Sequence, residues 1–473
     1  MNAPAATLTP GGAELRNAAW LMYAAALASS IPALRAYFVG EEGILVISSL
    51  EMHLRGDWLR LWLFGSDQRH GVFANWLIIA GARVLGWEHV LAVTRAVMLL
   101  ATAVAGAIVC LLVHRLYRDA ALAAFAAALY VSFADILFYR GWLGYRDPLF
   151  GMLVFAAIAA LWLAVRERRL TWLVAALVSM TLAFLTKGLV AYAYVGAAVL
   201  VLLARREGRA FLLQPAAIAL GAAALALPFA WVQWILADAG MGGRMTAEMV
   251  AKFGWDSIGA YSLKLVTYPV ETVLRLAPAS LLLGYWWYRQ RETVTQVARD
   301  IEWRTALAIA LIVFVPFWLA PQSHFRYLLP IVPLCAITAA LAVYRLGEGH
   351  VRVTLNWLWL AIGLKLVFAL TAFPWYQQAY RGANYAAAAT DILARSAGRP
   401  LYANNVSASG LSVAAHIDLA RLLQTPLTFP PDEWRDGFVI TYGPDPALGQ
   451  VVTLYRLGGA TIALLCRGAA CKP

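Results

Sequence analysis

The chain has 473 residues, of which 62% are hydrophobic and only 14% charged, with a mean hydropathy of +0.68. Soluble domains run near 45–50% apolar with about a quarter of their residues charged, so this composition excludes an ordinary soluble enzyme and puts most of the chain in a membrane. The formal charge of +12 is dispersed between apolar runs rather than gathered on one domain, which argues against nucleic acid as a partner.

The first twenty residues are polar and weakly charged and show no cleavable leader, so the first apolar run is expected to remain as an anchor. Runs of spanning length fall at about 18–39, 90–113, 120–139, 148–165, 170–186, 188–204, 211–236, 270–288, 305–320, 326–343 and 355–373. They predict an α-helical polytopic membrane protein with about eleven transmembrane helices. Arginines crowd alternate junctions: Arg16, then Arg115 and Arg118, then the clusters at 166–169, 205–209 and 289–304, then Arg345 and Arg352. The positive-inside rule places that side in the cytoplasm. The loop at 40–76, the turn Tyr145-Arg146-Asp147, the loop at about 237–269 and the tail then face the outer compartment.

The tail, 374–473, differs in kind. Gly382–Ala397 and Ala408–Leu423 read as helices, Pro400–Asn405 as extended, and Phe438–Tyr442, Val451–Leu457 and Thr461–Cys466 as strands. Gly458-Gly459 joins the last two as a hairpin. The expected division is a transmembrane domain over 1–373 and a small C-terminal α/β domain over 374–473, outside the cytoplasm. Cys466 and Cys471 could bond in that oxidising compartment, or the short gap near the terminus could defeat the geometry. Cys110 and Cys335 lie in apolar runs and read as packing residues.

The candidate chemistry starts at Glu41 and Glu42, two adjacent carboxylates where the first span leaves the hydrocarbon. Charge at the centre of a lipid-embedded helix costs at least roughly 2.5–3.5 kcal/mol, so they are expected to face a polar cavity. One can accept a proton from an acceptor hydroxyl while the other holds a sugar or a cation. The residues after them read as an amphipathic helix on the membrane surface, with Ile44, Ile47, Leu50, Leu54 and Trp58 on one face and Glu51 and Arg55 off it. This loop is expected to form the floor of an active site. Asp147, followed by Pro148, is an ordinary helix cap on one reading and a second acid lining the same pocket on the other. Arg95, Lys187 and Arg326 come from separate helices and suit a phosphate near the membrane surface. Lys365 and Asp135 also lie in apolar runs and receive no role. His70 has no companions of metal-ligand type, so no tightly bound metal is expected.

These residues resemble the motifs of the GT-C glycosyltransferases that use polyprenyl-phosphate sugars, particularly the aminoarabinose-to-lipid A transferases and protein O-mannosyltransferases. That family opens its first outer loop with Asp-Glu, followed by Glu-Met and Gly-Asp-Trp; here Glu41-Glu42, Glu51-Met52 and Gly56-Asp57-Trp58 stand at matching spacing. Its Lys-Pro-Pro-Leu element, with Trp-Leu two residues on, appears as His70-Gly71-Val72-Phe73 and Trp76-Leu77. Arg95 and Asp147 match its second-span arginine and second-loop aspartate. Phe184-Leu185-Thr186-Lys187-Gly188 and Arg326-Tyr327-Leu328-Leu329-Pro330 match its later motifs. The likeness covers about residues 18–345. Glu41 stands where the family has an aspartate, the aromatic after the acidic pair is absent, and a lysine contact to the donor is missing or supplied by His70 or Arg69.

The resemblance implies inverting transfer of a sugar from a polyprenyl-monophosphate donor to a lipid, glycan or protein acceptor, at the periplasmic face of a bacterial inner membrane. Glu41, Asp147 and Glu42 are the implied catalytic acids, with Glu41 the first choice of base and Asp147 the second. Arg95, Lys187 and Arg326 would bind the donor phosphate, and His70, Arg69, Arg146 and Tyr327 would contact substrate. No cofactor is implied, though a weakly bound divalent cation has room. The partners are the lipid-linked donor, the acceptor and membrane lipids. A transporter or flippase of lipid-linked sugars would share the spans without needing the acids for turnover, and an O-antigen polymerase or ligase would use a lipid diphosphate.

Overall fold

The computed structural model describes residues 10–68, 71–235, 257–380, 383–422, 424–457 and 459–472. Arg69 and His70, Gly382, Gly458 of the expected hairpin turn and residues 236–256 of the expected outer loop lie outside the described residues. The chain divides into two compact units. The first comprises 1–30, 98–142 and 146–365; the second comprises 31–97, 143–145 and 366–473.

Among the described residues six helices are long and apolar enough to cross a membrane: Trp87–Tyr117, Arg146–Glu167, Leu170–Lys187, Ile301–Leu319, Phe325–Leu346 and Glu348–Gln377. The other expected spans take different forms. Ala120–Ser132 and Val190–Ala204 are apolar but shorter, and Arg206–Leu212 with Pro215–Ala226 forms a pair bent by 71° that counts as a seventh span if taken as one. The run at 270–288 breaks between Ile258–Arg275 and Ala279–Arg289, where Pro278 cannot continue a helix. The first helix, Pro10–Ala28, ends about ten residues before the expected exit. A short 3-10 turn, Pro32–Arg35, follows it.

In the first unit, Asp119 starts helix Ala120–Ser132 by accepting from the N–H groups of Ala121 and Leu122, both at 2.9 Å. This helix packs on Pro10–Ala28, and from Ala121 onward every residue is buried. A helix apolar on all sides has no reason to face water, and its alanines let the neighbouring backbone approach closely. Lys365 and Asp135 do not meet each other. Lys365 donates to Ser30 Oγ, and Asp135 lies between Arg140 and Arg275.

In the second unit the tail forms the elements its periodicity predicts. Helices Ala383–Arg395 and Ala408–Ala420 accompany a four-stranded sheet in the order Leu401–Asn404, Gly437–Thr441, Ala460–Arg467, Gln450–Leu457. The first pair is parallel and the other pairings are antiparallel; the Ala408 helix supplies the crossover a parallel pair needs. All five residues of the Gly437 strand are buried, as expected of a central strand covered on both faces. Cys466 and Cys471 are joined by a disulfide.

One sequence expectation is overturned in this unit. Helix Gly43–Arg55 is not an amphipathic surface helix: it is buried from Leu45 through Met52, including Glu51, while Leu54 is exposed. The Ala408 helix of the tail packs on it, and at Gly43 an added Cβ would lie 2.6 Å from Leu411 O. The helix is covered by chain distant in sequence, which its own periodicity could not show.

Candidate active site

The second unit holds the acidic pair. Arg95, on helix Val90–Tyr117, is fully buried, and each N–H of its guanidinium is engaged. Nε donates to Glu42 Oε1 at 2.8 Å; Nη1 donates to the carbonyls of Ala33 (2.8 Å) and Ala36 (2.6 Å); Nη2 donates to Tyr37 O (2.8 Å) and to Glu42 Oε2. Glu42, also fully buried, accepts in addition from the N–H of Gly144 (2.7 Å) and of Val39 (2.8 Å). Such a bidentate, fully hydrogen-bonded pair is the arrangement in which buried charges are tolerable. Both side chains are committed to this network. Arg95 has no donor left over for a phosphate, and Glu42 has none of the freedom of a proton acceptor. Together they staple the turn at 33–37 to the start of the Gly43 helix.

Glu41 is different: it is exposed, and its backbone is fixed. Its N–H donates to Tyr145 Oη at 3.0 Å, and that hydroxyl reaches Val39 O at 3.4 Å. Gly40 has φ +60°, and an added Cβ would fall 2.1 Å from the same hydroxyl. Only glycine lets the tyrosine sit there. Neither Tyr145 nor the Gly144 amide carries a role that the sequence alone marks. Their one signal was adjacency to Arg146-Asp147.

Two more carboxylates are buried in the same unit. Glu51 accepts from the N–H of Phe64 (2.6 Å) and Gly65 (3.1 Å), and burial raises its pKa above the usual carboxyl value. Asp418, on the Ala408 helix, accepts from Leu427 N at 2.9 Å. Burial pushes its carboxyl up to about 7, and the charge of Glu51 adds to the effect. Phe429 N donates to Phe64 O at 2.9 Å, so the two loops held by these acids also hold each other.

The first unit brings together Asp147 and Lys187. Asp147 opens helix Arg146–Glu167 and Lys187 closes helix Leu170–Lys187. The two are ion-paired, with side chains 9% and 27% exposed. Lys187 Nζ also lies over the rings of Phe150 (5.5 Å) and Tyr327 (5.3 Å), a favourable setting for a cation. Tyr327 stacks on Phe317 with centroids 5.5 Å apart, and its carbonyl accepts from Tyr194 Oη at 2.6 Å. Arg326 is half-buried, its guanidinium 5.4 Å from the Tyr327 ring. Arg146 is half-buried as well. This is a cationic centre walled by aromatic rings, and Asp147 is its internal counter-ion. Among the described residues no group of three His, Cys, Asp or Glu side chains could hold a metal ion.

Residues 69–234 match the family model described as dolichyl-phosphate-mannose-protein mannosyltransferase. Over 150 residues the chain is 34% identical to the undecaprenyl phosphate-alpha-4-amino-4-deoxy-L-arabinose arabinosyl transferase of Pseudomonas aeruginosa (strain UCBPP-PA14). That match covers 30% of this chain and spans about a quarter, 27%, of the relative. The crystal structure of ArnT from Cupriavidus metallidurans bound to undecaprenyl phosphate superposes with a TM-score of 0.69 at 16% identity, covering 98% of this chain and 99% of the other. The fold is that of this ArnT structure. The apo form of the same ArnT gives a TM-score of 0.64 at 17% identity over 94% and 97% of the two chains. The likeness covers nearly the whole chain and so runs through the sheet-bearing tail as well as the apolar helices.

Proposed function

We propose that the protein is an inverting membrane glycosyltransferase that moves a sugar from a polyprenyl-monophosphate donor to a hydroxyl of a lipid, glycan or protein acceptor. The observation that carries this reading is an ArnT-like fold over 98% of the chain in which Glu41 is exposed on a backbone pinned by Tyr145. In the reaction the acceptor oxygen bonds to the anomeric carbon as the bond from that carbon to the phosphate oxygen breaks. The bonding pair leaves with the phosphate and the hydroxyl proton passes to Glu41. A transition state with oxocarbenium character is expected of such a displacement, and charge accumulates on the departing phosphate.

Roles follow from the setting of each side chain within its own unit. Glu41 is the base; Asp147, committed to Lys187, is the second candidate. Lys187 and Arg326 are the phosphate ligands, aided by Arg146 and Tyr327, and Arg69 and His70 are assigned to substrate from the sequence alone. Arg95 and Glu42 act as positioning residues. The fixed cations supply the leaving group's charge stabilisation, and no cofactor enters this reading. The apolar runs of the sequence support about eleven crossings, and residues 374–473 are read as an α/β domain outside the cytoplasm. The arginine asymmetry supports an orientation with the acids on the side away from the cytoplasm, and the resemblance supports a bacterial inner membrane with those acids at its periplasmic face.

The test is transfer by purified protein from a polyprenyl-phosphate sugar. Glu41→Gln is expected to lower kcat by roughly a hundredfold or more, the usual contribution of a positioned base, with donor affinity retained. Glu41→Gln turning over at the wild-type rate rejects the assignment. Lipid translocation by wild type with no glycosidic product favours a flippase.

A further inference from the structure

A small cavity in the second unit has no part in the reading above. It measures about 210 Å³, and its walls come from Gly40 on one side and from Tyr385, Ser407, Ser409, Gly459 and Ala460 of the tail on the other. Gly40 is the residue before the proposed base, and Tyr145 fixes it in place. Across from it, Tyr385 Oη and Ser409 Oγ lie 3.2 Å apart, with either able to donate. Ser407 Oγ accepts from Gly410 N at 3.2 Å, which leaves its own hydroxyl proton to donate. Gly459 has φ +82°, and with Ala460 it forms a wall with little side-chain bulk.

The lining decides what can fit. Among the described residues that line the cavity none carries a charged side chain, so nothing there offsets the desolvation of a phosphate or a carboxylate. Three hydroxyl side chains in so small a space likewise disfavour an acyl or isoprenoid chain. Hydroxyls that both donate and accept, on a surface with small-residue gaps, complement a neutral ring that itself bears several hydroxyls.

Building on the transferase reading, we infer that this cavity is an acceptor subsite that receives a neutral saccharide ring, so that the acceptor is a glycan or glycolipid headgroup. The ring would seat between the tail and Gly40, which brings a hydroxyl of the same acceptor toward Glu41. Gly40 is the cavity's link to the proposed base. The tail then contributes to acceptor choice, a role its sequence does not announce.

Two variants of the full chain test this: Tyr385→Phe with Ser409→Ala, which removes two hydroxyls while keeping shape, and Ala460→Trp, which fills the space. Binding of methyl β-D-glucopyranoside is measured by saturation-transfer NMR, and transfer from a polyprenyl-phosphate sugar to lipid A is measured as separate KM values for donor and acceptor. Wild type is expected to bind the glucoside and both variants to lose the signal. Acceptor KM should rise about tenfold for the double variant, the size expected for two neutral hydrogen bonds, with donor KM shifting less than twofold. Equal glucoside signals in wild type and in correctly folded variants, or no signal in wild type, overturn the subsite. A wild type that binds the glucoside but neither transfers nor cleaves the donor rejects the transferase reading and leaves the subsite standing.

Discussion

Replacing Asp418 by Asn isolates one buried carboxyl and predicts a pH-dependent gain in stability. Asp418 is 2% exposed, and burial lifts its pKa from 3.8 to about 7. At about 1.4 kcal/mol per tenfold change in proton affinity, the carboxylate form is disfavoured in the fold by about 4 kcal/mol, an upper figure because relaxation reduces it. The sign follows from linkage. Between about pH 4 and pH 7 the folded state keeps a proton that the unfolded chain has released, so stability declines as pH rises through that window and is flat above it. Asn keeps an acceptor for Leu427 N–H and has no proton to lose. The difference in Tm between Asp418→Asn and wild type, measured in detergent from pH 4 to pH 8, should therefore grow by at least several degrees toward high pH. Glu51, whose pKa is raised mainly by burial, is present in both proteins, and its charge is part of what raises Asp418, so the difference reads Asp418 together with its coupling to Glu51. Parallel Tm curves for the two proteins would refute the argument.

The buried pair makes a second prediction. Arg95→Met leaves Glu42 buried without its partner and should cost about 3–5 kcal/mol, while Arg95→Met with Glu42→Leu should cost much less than the two single changes summed; thermal melting of the three proteins checks this. Lys187→Ala should lower the transfer rate on the order of a hundredfold or more, as loss of one preorganised charge-stabilising donor does, and single-turnover kinetics with bound donor separates that from weaker binding. Reducing Cys466–Cys471, a separation of 5 residues, removes a short loop constraint of about 2 kcal/mol. A modest drop in Tm on adding reductant, absent in Cys466→Ser with Cys471→Ser, is the expected result.

What the sequence determined by itself was whatever depends on local pattern. Apolar runs long enough to cross a bilayer announced the membrane class, since each residue adds a fixed rise and unpaired backbone groups are not tolerated in lipid. Alternation and turn residues placed the strands at 437–441, 450–457 and 460–467 within a residue or two. The types and order of Glu41, Glu42, Arg95, Asp147, Lys187 and Arg326 offered candidates for the chemistry. Roles were another matter, because a side chain's role depends on which of its donors and acceptors other parts of the chain have taken. Tertiary structure alone decided that Arg95 spends its donors on Glu42 and the carbonyls at 33–37, leaving Glu41 exposed. It alone buried Glu51 beneath a helix that begins at Ala408. A helix read as lying on a surface became interior because its cover arrives hundreds of residues later, and no window along the sequence contains both.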